Sequence, residues 1–136
     1  MEDTSKTIAV IDKSTMLKRL RSVENLNRES NPVIIPQTEI NKIKDIVAQR
    51  ICQMIKDLSI KYYMVVIPLG VLKEFEDAAT KLTYNILVNI ALSAFNVTIS
   101  GESSDNIFDV AEYVYEKFNA PVNIISGDGN VVIRYN

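Results

Sequence analysis

The stretch Thr7-Ile8-Ala9-Val10-Ile11-Asp12 decides the fold class of this chain. It is a continuous run of apolar and β-branched residues that ends in an acid, a pattern typical of a strand buried on both faces of a parallel sheet. Similar runs recur at residues 62–67, 96–99, 122–125 and 131–135. Because segments with helical periodicity separate most of these runs, the sequence predicts an α/β fold with a mostly parallel sheet of four to five strands.

The strongest helical pattern lies between the first two strand-like runs. From about residues 37–38 onward, apolar residues recur at i, i+3, i+4 and i+7 with charged residues between them, which predicts a long amphipathic helix. A short helix capped by Ser14 or Thr15 is predicted to precede it. A polar surface loop at residues 22–31 and a short extended segment at residues 33–36 are then expected to join the two helices.

Two further helices are predicted, one on each side of the third strand. The first carries apolar residues from Val71 to Leu87 along one face, and the second is capped by Ser104 or Asp105. No internal repeat interrupts this order. We therefore expect one domain over residues 1–136, in which residues 1–6 and the surface loop are flexible.

The composition excludes several classes of function. The chain has 136 residues, 47% of them hydrophobic, and a net charge of −2, which predicts one globular domain without the broad basic surface of a duplex-binding protein. No apolar run approaches the ~20 residues that span a bilayer, and no leader pattern is present, so a cytoplasmic protein without a membrane partner is expected. The absence of histidine excludes Ser-His-Asp, Cys-His and histidine–zinc chemistry, and the single cysteine excludes an internal disulfide.

Acidic residues follow the ends of the strand-like runs. They are Asp12, Glu74, Asp105, Asp109 and Asp128. In an open α/β sheet, ligands bind beyond the carboxyl ends of the strands, so acids from several strands are expected to converge there. Carboxylates held together raise one another's pKa unless a cation neutralises them. The sequence therefore predicts a divalent metal site.

Four segments containing these acids resemble, in order, the motifs of PIN-domain nucleases. The segments are Val10-Ile11-Asp12-Lys13-Ser14, Val66-Ile67-Pro68-Leu69-Gly70-Val71-Leu72-Lys73-Glu74-Phe75, Ser104-Asp105-Asn106-Ile107-Phe108-Asp109 and Ile124-Ile125-Ser126-Gly127-Asp128. The last segment is also similar to the form found in the related NYN branch. The resemblance implies a three-layer, Rossmann-like domain and a metal-dependent endonuclease that cuts single-stranded RNA.

The resemblance also implies roles for individual residues. Asp12, Asp128 and either Asp105 or Asp109 are expected to bind Mg²⁺ or Mn²⁺, since hard cations prefer oxygen ligands. Glu74 or Asp109 is expected to orient water or to hold a second metal, and Glu74 is expected to belong to the catalytic set.

Three further residues are expected to contact substrate. Ser14 and Ser126 are expected to donate hydrogen bonds to a phosphate or to a carboxylate that binds the metal, and Lys13 to attract the strand. Lys13 is alternatively an internal countercharge in place of the metal, which would make the site inactive.

Several assignments stay open at this point. Glu39 follows Val33-Ile34-Ile35-Pro36, a competing version of the second motif, but Lys42 stands there in the place of Glu74, so Glu74 is favoured. Asp105 competes with Asp109 for the third acid. Asp12 is alternatively an Asx-type cap, and Asp128 is alternatively part of a β-hairpin turn.

The function is open in the same way. The first alternative to a nuclease is a catalytically degenerate PIN-like domain that binds RNA or a protein partner, such as an antitoxin-like chain or a complex subunit. The second is an unrelated α/β regulatory or scaffold domain. A homodimer through the apolar helix faces is a further option.

Overall fold

The computed structural model describes residues 3–27, 34–100, 106–127 and 130–135. Within those ranges the strands are β1 Ile8–Ile11, β2 Met64–Pro68, β3 Val97–Ser100, β4 Val122–Ser126 and β5 Asn130–Tyr135. The helices are α1 Lys13–Glu24, α2 Gln37–Lys61, α3 Leu69–Ala78, α4 Lys81–Ser93 and α5 Ile107–Phe118, and a 3₁₀ turn at Asn25–Asn27 follows α1. None of the helices in these ranges is long and apolar enough to cross a membrane.

The strands form one five-stranded sheet in the order β3-β2-β1-β4-β5. The pairs β1–β2, β2–β3 and β1–β4 are parallel, and β5 pairs antiparallel with β4. The predicted α/β class and the mostly parallel sheet are therefore confirmed. β2 and β3 lie on one side of β1, whereas β4 and β5 lie on its other side. The direction in which successive strands are added to the sheet therefore reverses after β3, and β1 and β4 become neighbours.

Helices cover both faces of this sheet, because right-handed crossovers in opposite directions must lie on opposite faces. Ala9 and Ile11 point to one face, where they pack in a cluster with buried residues of α1 to α4. Ile8 and Val10 point to the other face and pack against α5. The arrangement is compatible with a three-layer α/β fold. Buried residues on the apolar face of α2 pack in the same cluster as Ala9 and Ile11, so this face contacts the core of the domain itself.

Two predictions about the first connection are wrong. Helix α1 continues through Glu24 rather than ending near residue 21, because Val23 extends the apolar spacing and is buried. Its 3₁₀ turn occupies residues 25–27, so the predicted loop is limited to residues 28–31, which lie outside the described residues. The described part of the predicted extended segment, residues 34–36, forms no strand; Pro36 is instead the N-cap of α2.

The single helix predicted over residues 71–87 is two helices. The first helix ends at Ala78, because the next residue, Ala79, has an extended backbone with a ψ of 165°. Thr80 caps the second helix by accepting a hydrogen bond from the Thr83 N–H through its side-chain hydroxyl. The hydroxyls of Thr80 and Thr83 both donate to Asp45 Oδ1 on α2, at 2.5 and 2.8 Å. The new helix direction leaves Leu82 66% exposed, not on a buried face as predicted.

The start of α5 also differs from the prediction. Asn106 is the N-cap, and its Oδ1 accepts a hydrogen bond from the Phe108 N–H at 2.9 Å. The predicted capping role of Ser104 or Asp105 is therefore wrong, and both residues lie outside the described ranges.

Candidate active site at the carboxyl ends of β1 and β4

The candidate site lies where the winding of the sheet reverses. β1 and β4 are neighbours in the sheet. The helix that follows β1, α1, packs on one face of the sheet, whereas the helix that precedes β4, α5, packs on the opposite face. A crevice opens between two such strands at their carboxyl ends, and it is the usual ligand site of an open α/β sheet. Asp12 lies directly after β1 at this point, and its backbone N–H donates to the Ile125 carbonyl of β4 at 2.8 Å.

A buried hydrogen bond fixes the start of α1 against the end of β4. The Thr15 hydroxyl donates to the Ile125 carbonyl at 3.0 Å, and Thr15 is only 5% exposed. Together with the Asp12 N–H, this contact uses both lone pairs of that carbonyl. The first turn of α1 is therefore held in a defined position relative to the last residues of β4.

The Asp12 carboxylate caps α1 and also contacts two serines. Its Oδ1 accepts from the Lys13 N–H at 2.9 Å. Its Oδ2 lies 3.2 Å from both Ser14 Oγ and Ser126 Oγ, and the two hydroxyl oxygens are 2.5 Å apart. We call these three atoms, Asp12 Oδ2, Ser14 Oγ and Ser126 Oγ, the oxygen triangle. Asp12 is therefore the N-cap of α1, which confirms the alternative of an Asp12 cap and shows that the predicted capping by Ser14 or Thr15 is wrong.

The oxygen triangle contains more lone pairs than protons. Each serine carries one hydroxyl hydrogen, so only two of the three short oxygen–oxygen contacts can be hydrogen bonds at one time. The Gly127 N–H supplies one more donor, to Ser14 Oγ at 3.1 Å. The remaining acceptor capacity makes the triangle a suitable environment for a hard cation or for an additional hydrogen-bond donor.

Glu74 lies along the same cleft as Asp12. A cleft of about 200 Å³, the Asp12 cleft, is lined by Asp12, Lys13, Pro68, Gly70, Val71, Glu74, Ile107 and Val110. Glu74 Oε2 is 3.6 Å from the Arg21 guanidinium, and both side chains are about half exposed. An exposed ion pair of this kind contributes ~1 kcal/mol or less, so it can be exchanged for another partner.

The competing acid Glu39 lies elsewhere. It is exposed in the first turn of α2 and pairs with Lys42 at 3.2 Å. Of the two candidates for the second motif, the structure therefore places Glu74 beside Asp12.

The other predicted acids are not brought into the described part of the site. Asp109 is exposed on α5, and it is not among the described residues that line the Asp12 cleft, although Ile107 and Val110 of that helix are. Asp105 and Asp128 lie outside the described residues. Across the described ranges, no group of three or more acidic, cysteine or histidine residues could hold a metal ion.

The chain does form the hairpin that was the alternative for Asp128. β4 and β5 are antiparallel, with Ser126 paired to Asn130, so Asp128 falls between them in the sequence. Gly127 has a φ of 60°, a conformation that favours glycine. Since Ser126 and Gly127 both contact the Asp12–Ser14 segment, the root of the hairpin is attached to the candidate site.

Lys13 is not buried, and Asp128, the acid with which an internal countercharge would pair, lies outside the described residues. Lys13 is exposed in the first turn of α1, where it lines the Asp12 cleft. The buried lysine expected for an internally neutralised site is therefore not what the structure shows. Its position at the edge of the cleft suits the other predicted role, attraction of an anionic substrate.

Sequence reasoning missed a second cleft beside the first. This basic cleft, of about 310 Å³, lies between α1 and α2 and is lined by Ser14, Thr15, Lys18, Arg19, Val47, Arg50, Ile51, Met54 and Gly127. The adjacent pair Lys18-Arg19, soon after the first motif, was a local signal for it. Arg50 gave no such signal, because only the packing of α2 against α1 brings it near the other two.

No protein-family model, curated protein or solved structure matches the chain. The chemistry open to the site follows from its donor atoms. The described residues provide carboxylates from Asp12 and Glu74 and hydroxyls from Ser14 and Ser126, all of them hard oxygen ligands. Such a set fits Mg²⁺ or Mn²⁺, which take few protein ligands and keep several waters.

Proposed function

We propose that the protein is a metal-dependent ribonuclease with a PIN-like, Rossmann-like domain, and that it cuts single-stranded RNA in the Asp12 cleft. The oxygen triangle at the end of β1 carries the proposal, because it joins the first and fourth motifs of the resemblance across 112 positions of sequence. The order of the four parallel strands, β3-β2-β1-β4, supports it, since these strands have the order of a Rossmann-like sheet, whereas the antiparallel β5 departs from it. Glu74 adds a second acid from the second motif.

The residues of the Asp12 cleft and of the oxygen triangle can each take a different role in phosphodiester hydrolysis. Asp12 and Glu74 would hold Mg²⁺ or Mn²⁺, and Asp128 of the fourth motif would be a further ligand. The bound metal would supply a water of lowered pKa and neutralise charge on the scissile phosphate. The hydroxyls of Ser14 and Ser126 can rotate from Asp12 Oδ2 to an anionic phosphate oxygen. Lys13, at the edge of the cleft, attracts the same group.

One oxygen of the Glu74 carboxylate is available to water. Arg21 contacts Oε2, and among the described residues the second oxygen, Oε1, has no hydrogen-bond donor. The carboxylate can therefore accept a hydrogen bond from water through Oε1. Glu74 therefore suits the role of positioning a water, which the second-motif acid has in the resemblance.

A non-cleaving RNA- or protein-binding module is the second candidate. The ion pair between Glu74 and Arg21 favours it, because this pair already provides a countercharge for one of the two acids. The contacts of Asp12 with Lys13, Ser14 and Ser126 favour it in the same way, because they satisfy its carboxylate within the protein. In this alternative the cleft retains its shape but recruits no metal.

Cleavage of a labelled, random-sequence single-stranded RNA separates the two candidates. We expect cleavage with millimolar Mn²⁺ or Mg²⁺, none with a chelator, and a loss of about a hundredfold or more in Asp12→Asn and in Glu74→Gln. Asp57→Asn is the matched control, since Asp57 is exposed on α2 and contacts only Gln53 among the described residues. Binding without cleavage under every metal condition would establish the second candidate. Equal cleavage by Asp12→Asn and the wild type would remove this site from the reaction.

A further inference from the structure

The basic cleft gathers positive charge in a protein whose net charge is −2. Lys18 and Arg19 come from α1 and Arg50 from α2, and all three line one cleft of about 310 Å³. Cations held together repel one another, and the cost is relieved when an anion binds between them. The arrangement therefore favours an anionic ligand.

Lys18 and Arg50 are available to such a ligand. Neither forms an ion pair with any residue in the described ranges. Other cations of the same two helices are already paired: Arg21 with Glu74, and Lys44 with Glu24 at 3.1 Å. The contrast shows that acids are within reach of these helices, yet none in the described ranges forms an ion pair with Lys18 or Arg50.

The basic cleft and the oxygen triangle share a residue. Ser14 belongs to both sites, since its Oγ is part of the oxygen triangle and its side chain also lines the basic cleft. Gly127, which donates to Ser14 Oγ, lines the basic cleft as well. A ligand in the basic cleft can therefore reach the oxygen triangle through Ser14.

We propose that the basic cleft binds the phosphodiester backbone of the single-stranded nucleic acid whose scissile bond lies in the Asp12 cleft. This inference rests on the proposed function. The short cluster of cations suits a few consecutive phosphates of one strand, whereas a duplex binder needs a broad positive surface. Val47 and Ile51 give the cleft an apolar floor, against which a sugar or the face of a base can pack.

The test is the affinity for a fluorescently labelled single-stranded RNA, measured by anisotropy in chelator so that cleavage does not intervene. We expect the double variant Lys18→Gln/Arg50→Gln to bind about tenfold more weakly than the wild type. The slope of log K against log salt should become shallower by about 1.4, since each lost phosphate contact on a single strand contributes ~0.7. Single-stranded DNA of the same sequence should show the same loss, because the contact is with the backbone.

The matched control is Lys56→Gln/Lys61→Gln, which makes the same change in net charge at exposed positions of α2. Lys56 lines a different groove, between α2 and α4. We expect this control to bind within twofold of the wild type. Arg50→Lys, which keeps the charge, should retain most of the salt slope, and equal melting temperatures exclude unfolding as the cause.

The outcomes separate this inference from the proposed function. Equal affinity in the two double variants overturns the inference, as does a wild type that binds no RNA at low salt. Metal-dependent cleavage that is indifferent to Lys18 and Arg50 overturns the inference and leaves the nuclease standing. Binding that depends on Lys18 and Arg50 without any metal-dependent cleavage supports the inference and replaces the nuclease by a binding module.

Discussion

Replacing Asp12 by asparagine separates its structural role as a helix cap from a role in metal binding. Asparagine is as good an N-cap as aspartate, and its Oδ1 can still accept from the Lys13 N–H, which is 2.9 Å from the native carboxylate. Its amide can donate to the hydroxyl oxygens of Ser14 and Ser126. In chelator we therefore expect the free energy of unfolding to change by less than about 1 kcal/mol.

The two proteins should differ once metal is added. At a free Mn²⁺ concentration 100 times its dissociation constant, binding to the folded state alone adds about 2.7 kcal/mol. For 136 residues, with an unfolding entropy of about 2.1 cal/mol/K per residue, this gain raises the melting temperature by about 9 °C. Asp12→Asn loses the charge that a divalent cation requires, so we expect almost no rise.

Differential scanning fluorimetry with and without Mn²⁺ measures both effects. Asp57→Asn is again the control and should show the wild-type rise. A wild-type protein that Mn²⁺ does not stabilise would contradict a metal site in the Asp12 cleft. So would an equal rise in Asp12→Asn, since the added metal would then be bound elsewhere.

Three further predictions concern the surroundings of the site. Thr15→Val should lower the free energy of unfolding, measured by urea titration, by about 1 kcal/mol, because it removes the 3.0 Å hydrogen bond to the Ile125 carbonyl. The loss stays small because the Asp12 N–H still donates to that carbonyl. An unchanged free energy of unfolding would show that the bond is energetically neutral. Gly127→Ala should lower the free energy of unfolding by about 1 kcal/mol, because a residue with a Cβ is strained at the Gly127 φ of 60°. No steric cost is added, since the new Cβ meets nothing within 4 Å, and a larger loss would indicate a clash. Burial raises the pKa of the Cys52 thiol from 9.0 to about 11, so the folded state holds this proton more tightly than the unfolded chain. The resulting stability is complete below pH 9 and lost as pH rises toward 11, and a Cys52→Ala variant should show a smaller decline with pH over this interval.

Local sequence pattern determined the elements whose side chains repeat with a clear period. The β-branched run of β1 and the apolar spacing of α2 indicated those elements directly, and the start of α2 at Gln37 agrees with its prediction. Alternating strands and helices also gave the α/β class and the mostly parallel sheet. These properties follow from neighbours along the chain, since a helix or buried strand repeats its apolar residues every few positions.

Contacts between distant residues decided the rest. The start of α4 at Lys81 is held by a hydrogen bond from the Thr80 hydroxyl to Asp45, 35 positions earlier in the chain. The apolar spacing of residues 71–87 does not record this contact and therefore predicted one helix. The partners of Asp12 are similarly divided: Ser14 was its neighbour in sequence, whereas Ser126 reaches it only because β4 lies beside β1. The basic cleft needs both α1 and α2, because its cations come from both helices. A one-dimensional pattern records which face a side chain occupies, but only the packed chain determines which faces meet.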